Sequence, residues 1–165
     1  MIEMMRVDDR LIHGQVALLW SKELQLNRII VANDRAAASE IQKNALLLAA
    51  PASIKVAVEP VDKAIKLAND PRGAKLKMLL IVNNVADLKR VVDGVQAPDD
   101  VKVDIANVGR IGGDLANKQK ISETVYLTED EVKLVREIAT KAKNFVYQPL
   151  PGDTPTHFVD LLKGE

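Results

Sequence analysis

Two of the 165 residues are histidines. One of them, His13, stands in a run of groups suited to handling phosphate: Asp8-Asp9-Arg10-Leu11-Ile12-His13-Gly14-Gln15. A neutral imidazole is a competent nucleophile toward phosphorus near neutral pH. Phosphoryl transfer asks the protein for in-line positioning, and for positive charge or N–H donors around the equatorial oxygens. Arg10 offers a planar fork to those oxygens. Gly14 lets the backbone approach closely, and a helix starting near Gln15 presents free N–H groups at its positive end. Asp8 or Asp9 can orient the imidazole or hold Arg10. The spacing alone is not specific, because a lone histidine near a helix start is more often an ordinary polar residue.

The surrounding pattern says what positions this run. Short, mostly β-branched apolar stretches mark strands at Glu3–Val7, Arg28–Ala32, Ile54–Val58, Lys77–Val82, Lys102–Asn107, Ser122–Leu127 and Phe145–Gln148. Helical patterns lie between them. Gln15–Leu24 puts Val16, Leu19 and Trp20 on one face, and Ala36–Ala50 is rich in good helix formers. Pro60 suits a first helical position, and Val61, Ile65 and Ala68 follow it. Val85, Leu88 and Val95 repeat the spacing, with Gly94 as a stop. Thr128-Glu129-Asp130-Glu131 reads as a capping box ahead of Val132, Val135, Ile138 and Ala142. A short last helix is expected over Thr156–Leu162, after a turn at Pro149–Pro155. Strands alternating with helices predict an α/β fold: an open, mostly parallel, doubly wound sheet of about seven strands flanked by helices, in a single domain over residues 1–165. In such sheets ligands sit beyond the carboxyl ends of the strands, where the His13 loop lies.

Composition narrows the classes. Lysine plus arginine and aspartate plus glutamate each number 23, so no basic excess points to nucleic acid, and 3% aromatics offers no stacking platform. Without cysteine, thiolate metal sites, disulfides and cysteine nucleophiles are excluded. The first residues lack a basic head and long apolar run, and no apolar stretch nears the ~20 residues that span a bilayer. A soluble cytoplasmic protein is expected.

The run Arg6-Val7-Asp8-Asp9-Arg10-Leu11-Ile12-His13-Gly14-Gln15-Val16, followed by Trp20, closely resembles the N-terminal signature of IIB components of the mannose/fructose/sorbose family of sugar phosphotransferase systems (PTS). Asn27-Arg28-Ile29-Ile30-Val31-Ala32-Asn33-Asp34, Ala49-Ala50-Pro51, Met78–Val82 and Asn107-Val108-Gly109 extend the likeness across nearly the whole chain. The resemblance implies that His13 accepts a phosphoryl group from a phosphorylated IIA partner. His13 then gives it to a sugar bound by the membrane subunits IIC and IID, with no metal and no diffusible cofactor. It favours Nδ1 as the phosphorylated nitrogen, which the residues themselves leave open. Arg10 is implied as a phosphate partner. Loop position adds Asp9, Gly14, Gln15, Asn33 and Asp34 as neighbours, and Gly109 and Arg110 from the loop after the fifth strand. Family members are often dimeric, so a second copy is among the expected partners. The expected location is the cytoplasm, against the membrane permease.

One departure stands out. The family often has Asn-Val-Gly-Gly after the fifth strand, where this chain has Asn107-Val108-Gly109-Arg110-Ile111-Gly112-Gly113. Three glycines and an arginine still suit a phosphate-facing loop, and they equally suit a plain turn. Lys118 aligns with a basic family position but reads as a solvated lysine, His157 as a surface histidine, and Trp20 as core. Two other classes compete. A receiver-like signalling module needs an acceptor aspartate at the end of the third strand, where Val58-Glu59-Pro60 stands. A nucleotide-binding module needs a glycine-rich or P-loop motif in the first βα turn, and none is there. The resemblance implies that the sugar binds mainly to the membrane subunits, so its identity is not written in this chain.

Overall fold

Alternation along the first strand, β1 (Ile2–Asp8), establishes two hydrophobic layers. Met5 and Val7 face one side, while Met4 and Arg6 face the other. The computed structural model describes residues 1–110 and 115–162. The remaining strands of the main sheet are β2 (Arg28–Ala32), β3 (Lys55–Glu59), β4 (Met78–Val82), β5 (Lys102–Asn107), β8 (Asn144–Tyr147) and β9 (Thr156–His157), in the order β3-β2-β4-β1-β5-β8-β9. All pairings are parallel except the last, β8 with β9.

Helices α1 (Gly14–Leu24), α2 (Asp34–Ala37) and α3 (Glu40–Ala49) cover one face, where Ala17, Trp20, Ala36 and Leu46 meet Met4, Ile29, Val31 and Leu79. Helices α4 (Val61–Ala68), α5 (Val85–Gly94) and α6 (Glu129–Ala139) cover the other with Val61, Ala64, Leu88, Val91, Val135 and Ile138. From β1 the chain passes through α1 to β2 and then β3 on one side of β1, and later reaches β5 and β8 on the other. The carboxyl end of β1 is thus the point where the winding changes direction, the usual place for a ligand site in such sheets.

The doubly wound α/β architecture follows the sequence expectation, and several elements differ from it for identifiable reasons. The segment Ala36–Ala50 is two helices, because Ser39 breaks it: its hydroxyl accepts from the Gln42 N–H at 3.2 Å and caps α3. The expected strand Ser122–Leu127 is instead part of an antiparallel hairpin, β6 (Gln119–Ser122) and β7 (Val125–Leu127), outside the main sheet. Thr124 sits at its turn and ties it to β5 and β8, donating to the Ala106 carbonyl and bonding the Tyr147 hydroxyl at 2.9 Å. The expected terminal helix Thr156–Leu162 begins as the edge strand β9 and continues as a 3₁₀ turn over Phe158–Leu162. Edge pairing, and stacking of Phe158 on Phe145 with ring centroids 4.9 Å apart, outweigh local helix propensity there. Pro60 is the N-cap of α4, not its first residue, and Gly94 is the last residue of α5, which Val95 leaves in an extended conformation. The capping box at Thr128 forms as expected, with both reciprocal bonds to Glu131. No helix among the described residues is long and apolar enough to cross a membrane.

Candidate functional site

The loop leaving β1 is held by a tight turn. The Leu11 N–H donates to the Asp8 carbonyl at 2.9 Å, and the Arg10 N–H donates to Asp8 Oδ1 at 3.0 Å. Leu11 adopts φ 60°, a strained left-handed conformation for a branched side chain. Leu11 and Ile12 are buried beneath the loop, which lifts Arg10 and His13 into solvent. His13 is the N-cap of α1, and its carbonyl accepts from the Ala17 N–H at 2.8 Å. Its ring makes no capping bond, so the imidazole is available while the first N–H groups of α1 point out beside it. Gly14 packs so closely on α3 that an added Cβ would stand 3.2 Å from the Ala49 carbonyl oxygen. Gln15 is exposed in the first turn of α1.

Directly beneath lies a buried network that motif reasoning passed over. Arg6 and Asp104 are register partners on β1 and β5, and Arg6 Nη1 donates to Asp104 Oδ2 at 2.7 Å. Arg6 Nη2 donates to the Pro149 carbonyl at 2.9 Å and lies 3.7 Å from Asp8 Oδ2. The Trp20 indole donates to the same Pro149 carbonyl at 3.2 Å, and the Arg6 guanidinium sits 5.5 Å from its ring centroid. Burial pushes the Asp104 carboxyl up to about 6, although Arg6 and the Gln148 N–H both pull it down. The available signal was a charged residue in the middle of an apolar strand, which needs a buried partner. Trp20 is core, as expected.

The other predicted residues divide between two places. Asp9, Arg10 and Asn33 line a cleft of about 330 Å³ together with Arg35, Ala36, Gln42 and Asn83, between the β1–α1 loop and α3. His13 lines a much smaller adjoining pocket with Arg6, Asp8 and Trp20, and Leu11 borders both. Asn33 caps α2, its Oδ1 accepting from the Ala36 N–H at 2.8 Å. Asp34 turns to a different loop: its Oδ1 accepts from the Val61 N–H at 2.9 Å, and Arg90 lies 3.6 Å away.

Asp9 is fastened to the β5 loop. Its N–H donates to the Asn107 carbonyl at 2.8 Å, and its carboxylate accepts from the Gly109 N–H. Partial burial, with Asp8 beside it, holds the Asp9 carboxyl above its ordinary value; the Gly109 N–H, Lys118 and Arg110 act the other way. Gly109 has φ 87°, and a Cβ there would lie 2.0 Å from the Tyr126 carbonyl oxygen, so only glycine fits. Lys118, read from sequence as solvated, is instead half-buried and donates to the Gly109 carbonyl at 3.0 Å. Arg110 is exposed; Ile111, Gly112 and Gly113 of the same expected loop lie outside the described residues. His157 is exposed on β9. No acid-and-histidine group suited to holding a metal occurs among the described residues.

The chain is similar to known proteins over nearly its whole length. The family described as the PTS system sorbose subfamily IIB component matches residues 2–165. A probable phosphotransferase enzyme IIB component of Streptococcus pyogenes is 40% identical over 164 residues, covering 98% of this chain and 99% of that one. The mannose-specific EIIAB component of Escherichia coli K12 is 31% identical over 161 residues, covering 98% of this chain and 48% of the longer relative. Among solved structures, the IIB domain of the Klebsiella pneumoniae sorbose permease superposes with a TM-score of 0.86 at 27% identity, covering 98% of this chain and 95% of that one. The family match over residues 2–165, the Streptococcus relative aligned over almost its whole length, and the shared sheet place the chain in the sorbose subfamily of PTS IIB components, which work with IIA and IIC/IID partners in sugar phosphotransfer.

Proposed function

We propose that His13 is the residue that carries the phosphoryl group. The observation that carries this reading is its ring: exposed, without a hydrogen bond among the described residues, and set at the N-terminus of α1. Neutral His13 attacks the phosphorus of a phosphohistidine on the IIA partner. A new N–P bond forms as the donor's N–P bond breaks, and that bond's electron pair returns to the donor ring. Arg10, whose guanidinium has no partner among the described residues, and the N–H groups of Gly14 and Gln15 take up the charge on the equatorial oxygens. In the second half-reaction a sugar hydroxyl at the IIC/IID subunits attacks the phosphohistidine. An O–P bond forms, the N–P bond breaks, and the hydroxyl proton leaves with the imidazole. The activity is that of a protein-phosphohistidine–sugar phosphotransferase, using Nδ1, with no metal and no cofactor in this step.

The supporting residues differ in weight. Asp9, Asn33, Gly109 and Arg110 shape the loops around the phosphate, whereas the contacts of Asp34 with Val61 and Arg90 give it a smaller part. We place the protein in the cytoplasm at the permease, with residues 1–165 acting as one IIB domain and a homodimer among its assemblies. The test is sugar phosphorylation by membranes bearing the cognate IIC and IID, supplied with phosphoenolpyruvate, the general carriers and IIA. Sugar phosphate forms with the wild-type chain and not with His13→Ala; equal product with both would overturn the assignment.

A further inference from the structure

Helix α3 is apolar on two faces. Leu46 packs into the core beside Trp20 and Ala36. On the far side Ile41 is 84% and Leu48 is 87% exposed. With exposed Ala45 between them they fall at i, i+4 and i+7, one continuous ridge along the helix. Single exposed leucines are ordinary, but a solvent-facing helical ridge of this kind is not, and a helix apolar on opposite faces implies a second partner. The charged residues of α3, Glu40 and Lys43, lie 4.0 Å apart and engage each other, so the ridge itself carries no charge.

The ridge's position points to its partner. Ala45 and Gln42 also line the cleft that holds Arg10 and Arg35, and the end of α3 lies against Gly14, the residue after His13. An uncharged ridge is therefore continuous with two exposed cations and the phosphoryl acceptor. A protein delivering a phosphoryl group to His13 meets the β1–α1 loop, against which this surface lies. It arrives with the dianionic charge of its phosphohistidine, which Arg10 and Arg35 complement while His13 is unmodified. Once the charge has passed to His13, the same cations face a phosphoryl group of this chain's own, and their attraction for a donor falls.

We infer that the Ile41–Ala45–Leu48 ridge of α3 is the docking surface for the phosphorylated IIA protein, with Arg10 and Arg35 as its electrostatic rim. This inference rests on the assignment of His13 as acceptor. Docking on apolar anchors should govern encounter and leave the chemistry at saturation unchanged.

The experiment measures initial rates of phosphoryl transfer from a phosphorylated IIA protein that labels the wild-type chain, using Ile41→Glu, Leu48→Glu and the double variant. Both positions are exposed, so the variants fold, and circular dichroism checks this. The double variant should raise KM for phospho-IIA by about tenfold or more with kcat nearly unchanged. Labelling of His13 by the small donor phosphoramidate, which needs no docking, should be unaltered. An unchanged KM overturns the inference. So does an unchanged KM accompanied by loss of a dimer in sedimentation, which assigns the ridge to a second copy, or by loss of sugar phosphorylation in membranes, which assigns it to IIC/IID. Label that persists in His13→Ala overturns the acceptor assignment itself and leaves a different signature from an unchanged KM in the ridge variants.

Discussion

Arg6 and Arg10 are four residues apart, one inside the first strand and one just beyond its end, and they do opposite work. Arg6 is buried, with Asp104, Gln148 and Pro149 as acceptors and Asp8 nearby. Arg10 is exposed, and among the described residues only its backbone N–H is engaged, by Asp8. The buried guanidinium fixes the floor of the loop by tying β1 to β5 and to the Pro149 turn behind Trp20. In the proposed mechanism the exposed one keeps its donors for an incoming anion. Asp8 touches both, one oxygen near Arg6 and the other on the Arg10 N–H, so a single carboxylate links scaffold to site. Stability and chemistry are thus separated by one turn of chain, and substitutions can separate them experimentally.

The largest expected effect lies in the buried half. Asp104→Leu leaves the Arg6 charge buried with only carbonyls and a distant Asp8, and should cost about 3–5 kcal/mol in urea unfolding. Combining it with Arg6→Met should recover much of that loss, because two apolar side chains replace a matched pair. Arg10→Ala should do the reverse: unfolding stays within about 0.5 kcal/mol of wild type, while phosphoryl transfer to His13 slows by about 10²-fold. If Arg10→Ala unfolds the protein, or Asp104→Leu leaves it as stable as wild type, the division between the two arginines fails.

A pH profile sharpens the same contrast. Burial raises the folded Asp104 carboxyl to about 6, above the ~3.9 expected when unfolded, so the folded state holds its proton more tightly. Its contribution to stability is therefore full below about pH 4 and is lost as pH rises through about 6. Asp104→Asn should flatten that segment of the stability curve, measured by urea midpoints across it. A smaller effect is expected away from both arginines: Thr128→Ala removes one arm of the α6 capping box and should cost about 1 kcal/mol in the same assay.

Much of the fold was legible because its signals are local. The apolar runs of β1, β2, β4 and β5, and the Thr128 capping box, carry their structure in neighbouring residues. What sequence missed depended on distant partners. Phe158 gives up helix for stacking on Phe145, whereas Ser39 is the local exception, splitting a run of helix formers through its cap on Gln42. The hairpin at Gln119–Leu127 is organised by Thr124, whose partners are on β5 and β8. In the candidate site, His13 and Arg10 were proposed from sequence because their loop and motif are contiguous. Arg6 and Asp104 were not, since their pairing arises from strand register and from a turn over a hundred residues away, and Lys118 was not, since its bond to the Gly109 carbonyl depends on how two loops meet. The exposed ridge of α3 was hidden for a simpler reason: Ile41 and Leu48 look like core residues until the helix's two faces are known.

The central claim is that His13 takes the phosphoryl group. It is tested most directly by labelling the chain from phosphoenolpyruvate through the general carriers and IIA, digesting it at alkaline pH, and mapping the phosphate by mass spectrometry. The account predicts one acid-labile, alkali-stable phosphate on the peptide containing His13, absent from His13→Ala. A phosphate that survives this substitution, or that maps to His157, would contradict it.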